Sequence, residues 1–186
     1  LLHDPNLGMF DLKAKCIRAV GNPRRRIAED GLRLLRAYRF MDRGEHGCWT
    51  LDSELNSALQ SEQYMLDKVA KERKWAEVQR ILCGYNSGVV LRLMAEHDVL
   101  SHLLGVSFHS DEYCIRAQFD PILTDEIPAA MRLALIFANR TSEELSRAAD
   151  MLILSNKERA QAHFSHRMLG TPPSHNDRGM MRLWRF

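Results

Sequence analysis

Apolar positions recur at helical spacing along almost the whole chain. In "GNPRRRIAEDGLRLLRAYRFMDRG", Ile27, Leu34, Tyr38 and Met41 share one face at 100° per residue, with Leu35 at its margin. Glu29, Arg33 and Arg36 lie roughly opposite, and Arg26 and Asp30 sit on the flank. Asn22 is placed to cap, Pro23 suits the first helical position, and Gly44 follows the end. The pattern predicts a single helix that packs on one side and presents a polar set on the other.

A weaker helical pattern, "LDSELNSALQ", precedes the strongly helical "MLDKVAKERKWAEVQRILCG", which stops at Gly84. "SGVVLRLMAEHDVLSHLLG" predicts an apolar helix pair, or one helix with a turn near Asp98. Residues 107–127, with Pro121, are polar and irregular and read as a surface connection. "PAAMRLALIFANR" starts at Pro128 and is apolar on several faces, as a buried helix would be. Two capping boxes follow, Thr141 with Glu144 and Ser155 with Glu158, and a Pro/Gly-rich loop spans 170–179. No alternating pattern occurs beyond the first few residues, and no internal repeat is found. The expected fold class is all-α, with a short strand or turn confined to the N-terminus.

Composition adds few constraints. Hydrophobic content of 45% with 27% charged residues is that of a soluble globular protein. A net charge of +2 creates no global basic field, so contact with a polyanion must come from local arginine clusters. Cys16, Cys48, Cys83 and Cys114 are widely spaced with no CxxC pair, which implies neither a zinc site nor a disulfide framework. They read as reduced thiols of a cytoplasmic or organellar protein. No apolar run approaches the ~20 residues a membrane span needs. The opening "LLHDPNLGMFDLK" has no initiator Met, and "GMMRLWRF" ends inside a helix-like pattern, so a piece of a longer polypeptide is expected.

The acidic pair and the arginines admit two readings. On a solvated helix, Glu29 or Asp30 with Arg33 is an ordinary side-chain pair of a few tenths of a kcal/mol. The alternative starts from hydrogen-bond inventory. Cytosine and adenine both present an exocyclic amine donor beside a ring-nitrogen acceptor. An ionised Asp only accepts and an Arg only donates, so Asp30 and Arg33 together complement both bases. Uracil and guanine would set acceptor against acceptor and donor against donor, at roughly 1–3 kcal/mol per unpaired group. Glu29 could steady Arg33, and Arg36 is suited to a phosphate or a second orienting contact.

The same stretch carries three ordered motifs: DPxxGxxDL (Asp4, Pro5, Gly8, Asp11, Leu12), IRxVGxPxxR (Ile17, Arg18, Val20, Gly21, Pro23, Arg26) and EDxxRxxRxxRF (Glu29, Asp30, Arg33, Arg36, Arg39, Phe40). They resemble class II tRNA nucleotidyltransferases, the CCA-adding enzymes, and the related bacterial poly(A) polymerases. "VAKERKWAEVQRIL" is similar to the family's SxERIxxEL neck helix at Glu72, Arg73 and Glu77, with Ala70 where Ser is usual. "LILSNKER" resembles a helix of the body region. Leu7 replaces a glycine common in the linking turn.

The resemblance implies an organisation as well as an activity. Residues 1–22 would be the end of a head domain and the linking turn. Residues 23–105 would form the neck, with the nucleotide-recognition helix and an RNA-binding-like helical domain; 106–127 would connect it to truncated body and tail helices in 128–186. The full-length enzyme would add C and/or A to the tRNA 3′ end from CTP and ATP, releasing pyrophosphate. Its Mg²⁺ would be held by a head whose GG loop, DxD pair and RRDF motif are not in this chain, so the isolated chain is expected to be inactive. No catalytic residue and no metal ligand is assigned here. Nucleotide binding would fall to Asp30, Arg33, Glu29 and Arg36, and a weaker RNA contact to Lys71, Arg73 and Lys74. Fragment of a poly(A) polymerase, or a helical RNA- or protein-binding module without catalysis, are the alternatives.

Other candidates reduce to structure. "DSE" at 52–54 has carboxylate spacing but no glycine loop before it. His163 and His166 lack a third ligand, His97–Asp98 lacks the remaining partners of an HD pair, and Trp75 is expected to pack in the neck.

Overall fold

Gly8 and Met9 donate their backbone N–H groups to the Asp4 carboxylate at 2.7 and 2.9 Å, which starts α1 (Gly8–Ala14). The computed structural model describes residues 3–108 and 127–169. The Pro/Gly-rich loop at 170–179, the apolar C-terminal stretch and nearly all of the polar connection, Pro121 included, lie outside these residues. Leu7 adopts φ 57°, ψ 31°. The turn therefore keeps a left-handed shape that costs an L side chain roughly 1–2 kcal/mol, which is why glycine suits it.

Two short strands follow in the chain, β1 (Cys16–Ile17) and β2 (Thr50–Leu51), paired in parallel with Cys16 opposite Thr50 and Ile17 opposite Leu51. This corrects the expectation that any strand falls within the first few residues. A two-residue strand is too short to carry an alternating pattern.

The predicted helix over the EDxxR motif is two helices. α2 (Pro23–Glu29) opens as expected, with Arg25 N donating to Asn22 Oδ1 at 3.0 Å. Asp30 is then extended, at φ −150°, ψ 103°. Its carboxylate accepts from Leu32 N at 3.1 Å and its carbonyl from Arg33 N at 3.0 Å, so it caps α3 (Leu32–Met41). Gly31 makes the break tolerable in space: a Cβ there would run into the carbonyl oxygen of Met65.

α4 (Ser53–Ser61) is followed by a 3₁₀ segment, Gln63–Lys68, and by α5 (Lys71–Leu82). The helix expected from Met65 thus begins later, after a 3₁₀ segment and an extended Val69. α6 (Ser87–Glu96) and α7 (Val99–Leu104) form a pair separated at Asp98, which is left-handed at φ 59°. Beyond the connection come α8 (Ala129–Ile136), α9 (Ser142–Met151) and α10 (Asn156–Leu169). Both capping boxes form: Thr141 with Glu144, and Ser155 with Glu158.

Among the described residues the fold is all-α apart from that one strand pair. α3 lies at its centre, with Leu34, Leu35 and Tyr38 fully buried against α5 and α6. Each such side chain contributes about 1.5–3 kcal/mol by leaving water. α8 packs on α10 on one side and on α5 on the other, and the buried Arg132 donates to the Leu82 carbonyl at 3.0 Å. One continuous core therefore holds α3 rigidly while its polar edge faces outward.

Candidate functional site

The polar edge of α2 and α3 borders a cleft of about 440 Å³ whose other wall is the segment Ile17–Val20. Asp30, Arg33 and Arg36 line it together with Arg18 and Arg26. The volume lies within the range of small-molecule sites. Four guanidiniums and one carboxylate line it, and three of the guanidiniums are already paired: Arg18 with Asp11 and Asp52, Arg26 with Glu29 and Arg36 with Glu77.

Asp30 is the best-held group. Oδ1 accepts from Leu32 N, and Oδ2 accepts from Arg73 Nη2 at 3.2 Å, so the plane of the carboxylate is fixed from two elements. Arg33 is less constrained: its Nη2 lies 3.7 Å from Glu29 Oε2, an ion pair longer than a hydrogen bond. Glu29 is engaged more closely by Arg26, at 2.6 Å. Arg36 donates through Nε to Glu77 Oε1 at 3.3 Å.

The basic trio of α5 separates. Arg73 donates to Asp30, and Lys71 donates to the carbonyl of Asp150 at 3.2 Å. Lys74 differs from the other two: it is buried, and burial lowers its pKa. The sequence pattern shows it as one of three neighbouring cations, but helical geometry turns the third toward the core.

Glu77 received no role from the sequence. It is only 2% exposed, and it accepts from Arg36, from Arg39 at 2.7 Å and from Arg80 at 3.1 Å. The available signal was its place four residues after Arg73 on the same face of the neck-like helix.

The remaining candidates are occupied by structural contacts. His97 is buried with Nδ1 2.7 Å from the Tyr38 hydroxyl. His166 Nε2 lies 3.0 Å from the Phe137 and Arg140 carbonyls, and His163 meets the hydroxyls of Ser142 and Ser146. Trp75 is buried in the core and donates to Glu158. Asp52, first of the "DSE" carboxylates, accepts from Arg18 at 2.6 Å. Among the described residues no group of three or more His, Cys, Asp or Glu could hold a metal, and no helix is long and apolar enough to cross a membrane.

The chain resembles known proteins both in sequence and in fold. Residues 49–106 match a family described as a probable RNA- and SrmB-binding site of polymerase A. The CCA-adding enzyme of Bacillus subtilis is 34% identical over 132 residues, which cover 69% of this chain and 32% of that enzyme. The human mitochondrial CCA tRNA nucleotidyltransferase 1 is 35% identical over 101 residues, covering 52% of this chain and 22% of that protein. The crystal structure of the Bacillus stearothermophilus CCA-adding enzyme in complex with CTP shares the fold, with a TM-score of 0.73 at 23% identity, over 92% of this chain and 42% of that one. These matches support the identification of the chain as a neck and body region of the CCA-adding, class II nucleotidyltransferase kind. It spans about a quarter to a third of the curated relatives' length.

Proposed function

We propose that the full-length protein is a tRNA nucleotidyltransferase that adds C, A or both to the tRNA 3′ end from CTP and ATP, releasing pyrophosphate. Within it, this chain selects the base and helps to hold the tRNA. The observation that carries the reading is the placement of Asp30 and Arg33 on one cleft with Arg18, Arg26 and Arg36. Each Asp30 oxygen accepts one N–H from the protein and keeps a second lone pair for an exocyclic amine. Arg33, not hydrogen-bonded to Glu29, has donors available for the ring nitrogen. The other guanidiniums suit the triphosphate.

The Mg²⁺ that the resemblance implies has no ligand set among the described residues, and no step here runs through it. This chain's own work is binding, orientation and base choice. The 186-residue chain alone is accordingly expected to incorporate no nucleotide. Mg²⁺-dependent incorporation by the pure chain would overturn the placement of catalysis elsewhere in the protein.

The deciding experiment measures kcat/KM of the full-length protein for each of the four nucleotides, on tRNA lacking its terminal residues. CTP, ATP or both are expected to be used in preference to UTP and GTP. Indifference to the base would discard base selection, and RNA binding with no nucleotide use would favour a module without catalysis. The match to a segment of polymerase A favours one second reading, a bacterial poly(A) polymerase. Growth of a long A homopolymer, in place of a product that stops within three residues, would select it.

A further inference from the structure

We propose that Glu77 is a positioning residue for the phosphate side of the nucleotide cleft, acting through Arg36. The proposal rests on the reading of that cleft as a nucleotide site. Glu77 is a carboxylate withdrawn almost entirely from water on α5, a situation that is stable only with several well-placed cationic partners. It has them from two helices: Arg36 and Arg39 of α3, and Arg80 of its own helix.

The three contacts are not equivalent. Arg39 makes the shortest, 2.7 Å to Oε2, and its guanidinium also lies 4.4 Å from the centre of the Phe40 ring. Arg80 takes Oε1 through Nη1 and remains 60% exposed outside the nucleotide cleft. Arg36 takes the same oxygen through Nε, and alone among the three it lines the nucleotide cleft, with its side chain 44% exposed. A guanidinium tethered at Nε has its plane set from behind and its two terminal amines still outward. That is the geometry for a forked contact with phosphate oxygens. Glu77 thus converts a long, flexible cation into an oriented one without entering the cleft itself. Base choice rests with Asp30 and Arg33, about one helical turn away, so it is separable from this effect.

The test uses the full-length protein, with CTP and UTP affinities measured by calorimetry for the wild type, Glu77→Gln, Glu77→Asp, Arg36→Ala and the Arg36→Ala/Glu77→Gln pair. Glu77→Gln is expected to weaken CTP about tenfold, since an amide cannot accept from all three guanidiniums and Arg36 loses its anchor. Preference for CTP over UTP should stay at the wild-type ratio, and the double variant should bind no worse than Arg36→Ala alone. Glu77→Asp keeps the charge but shortens the reach, and gives a folded variant with a smaller loss if the Gln form does not fold. Wild-type CTP affinity in a folded Glu77 variant, or losses that add in the double variant, would overturn the proposal while leaving the nucleotide reading in place. An equal collapse of base preference would show a general loosening of α3 instead. No CTP binding by the wild type would remove both.

Discussion

Trp75 Nε1 donates to Glu158 Oε1 at 2.9 Å, joining α5 to the first turn of α10. The same oxygen accepts from Gln79 Nε2, while Oε2 accepts from the backbone N and hydroxyl of Ser155. A capping-box carboxylate therefore doubles as the tie between the two regions. Burial pushes its pKa up, but the donors of Ser155, Trp75 and Gln79 together bring it below the ordinary value. A depressed folded pKa means that the unfolded chain binds the extra proton. Its stabilisation is complete above the unfolded value of about 4.3 and is lost as pH falls through the lower folded one. Glu158→Ala is expected to cost about 3 kcal/mol at neutral pH, from the cap and the charged hydrogen bonds together. Urea midpoints followed from neutral to acid pH should fall less steeply in the variant; parallel acid limbs would refute the coupling.

Gly31 is predicted to be the least replaceable residue of the α2–α3 break. Its φ is ordinary for a helix, so backbone strain is not the reason; the Met65 carbonyl is. Gly31→Ala should destabilise by about 1–3 kcal/mol, as overpacking does, whereas Gly44→Ala, at φ 62° in open space, should cost about 1 kcal/mol from backbone alone. Thermal denaturation of the two variants side by side checks the ranking, and a Gly31→Ala protein as stable as the wild type would contradict it.

Tyr38 and His97 are both buried and meet at 2.7 Å, and burial holds the His97 pKa below its ordinary value. The unfolded imidazole protonates first as pH falls, so stability declines from about pH 6.5 downward and levels off below the folded value. Tyr38→Phe leaves the imidazole nitrogen without a partner and should cost about 1–3 kcal/mol. Stability curves between neutral and mildly acid pH, compared with a His97→Asn variant, would expose an error if the slope survives the loss of the histidine.

The sequence was informative wherever a local rule acts alone. Asn22, Thr141 and Ser155 cap as their spacing implies, and the apolar set of Ile27, Leu34, Tyr38 and Met41 is the buried one. The break at Asp30 escaped because the apolar period continues across it. The Met65 carbonyl that excludes a side chain at Gly31 is 34 residues away in sequence and invisible to any local window. The Arg73–Asp30 and Arg36–Glu77 pairs escaped for the same reason: each joins two helices whose packing only the fold specifies. Of the four candidate motif residues, Asp30, Arg33 and Arg36 line the cleft and Glu29 does not, and the tertiary contacts supply how they are held.

Capping, which the structure shows, and the proposed base reading make different demands on Asp30. As the cap of α3 it needs one acceptor, toward Leu32 N; as a base reader it needs another, toward an exocyclic amine. Asn caps as well as Asp, so Asp30→Asn should retain the fold to within a few tenths of a kcal/mol. Its second position becomes a donor, matched to the carbonyl of uracil or guanine and opposed to the amine of cytosine or adenine. In the full-length protein the preference for CTP and ATP over UTP and GTP should fall by about five- to a hundredfold, the equivalent of about 1–3 kcal/mol. Arg33→Ala, in contrast, should weaken CTP and ATP together without admitting the other two, and Glu29→Ala should give a milder form of that loss. The four specificity constants on tRNA lacking its terminal residues report all three outcomes. If Asp30→Asn folds normally and still rejects UTP and GTP, the carboxylate is a helix cap paired with Arg73 and does not read the base.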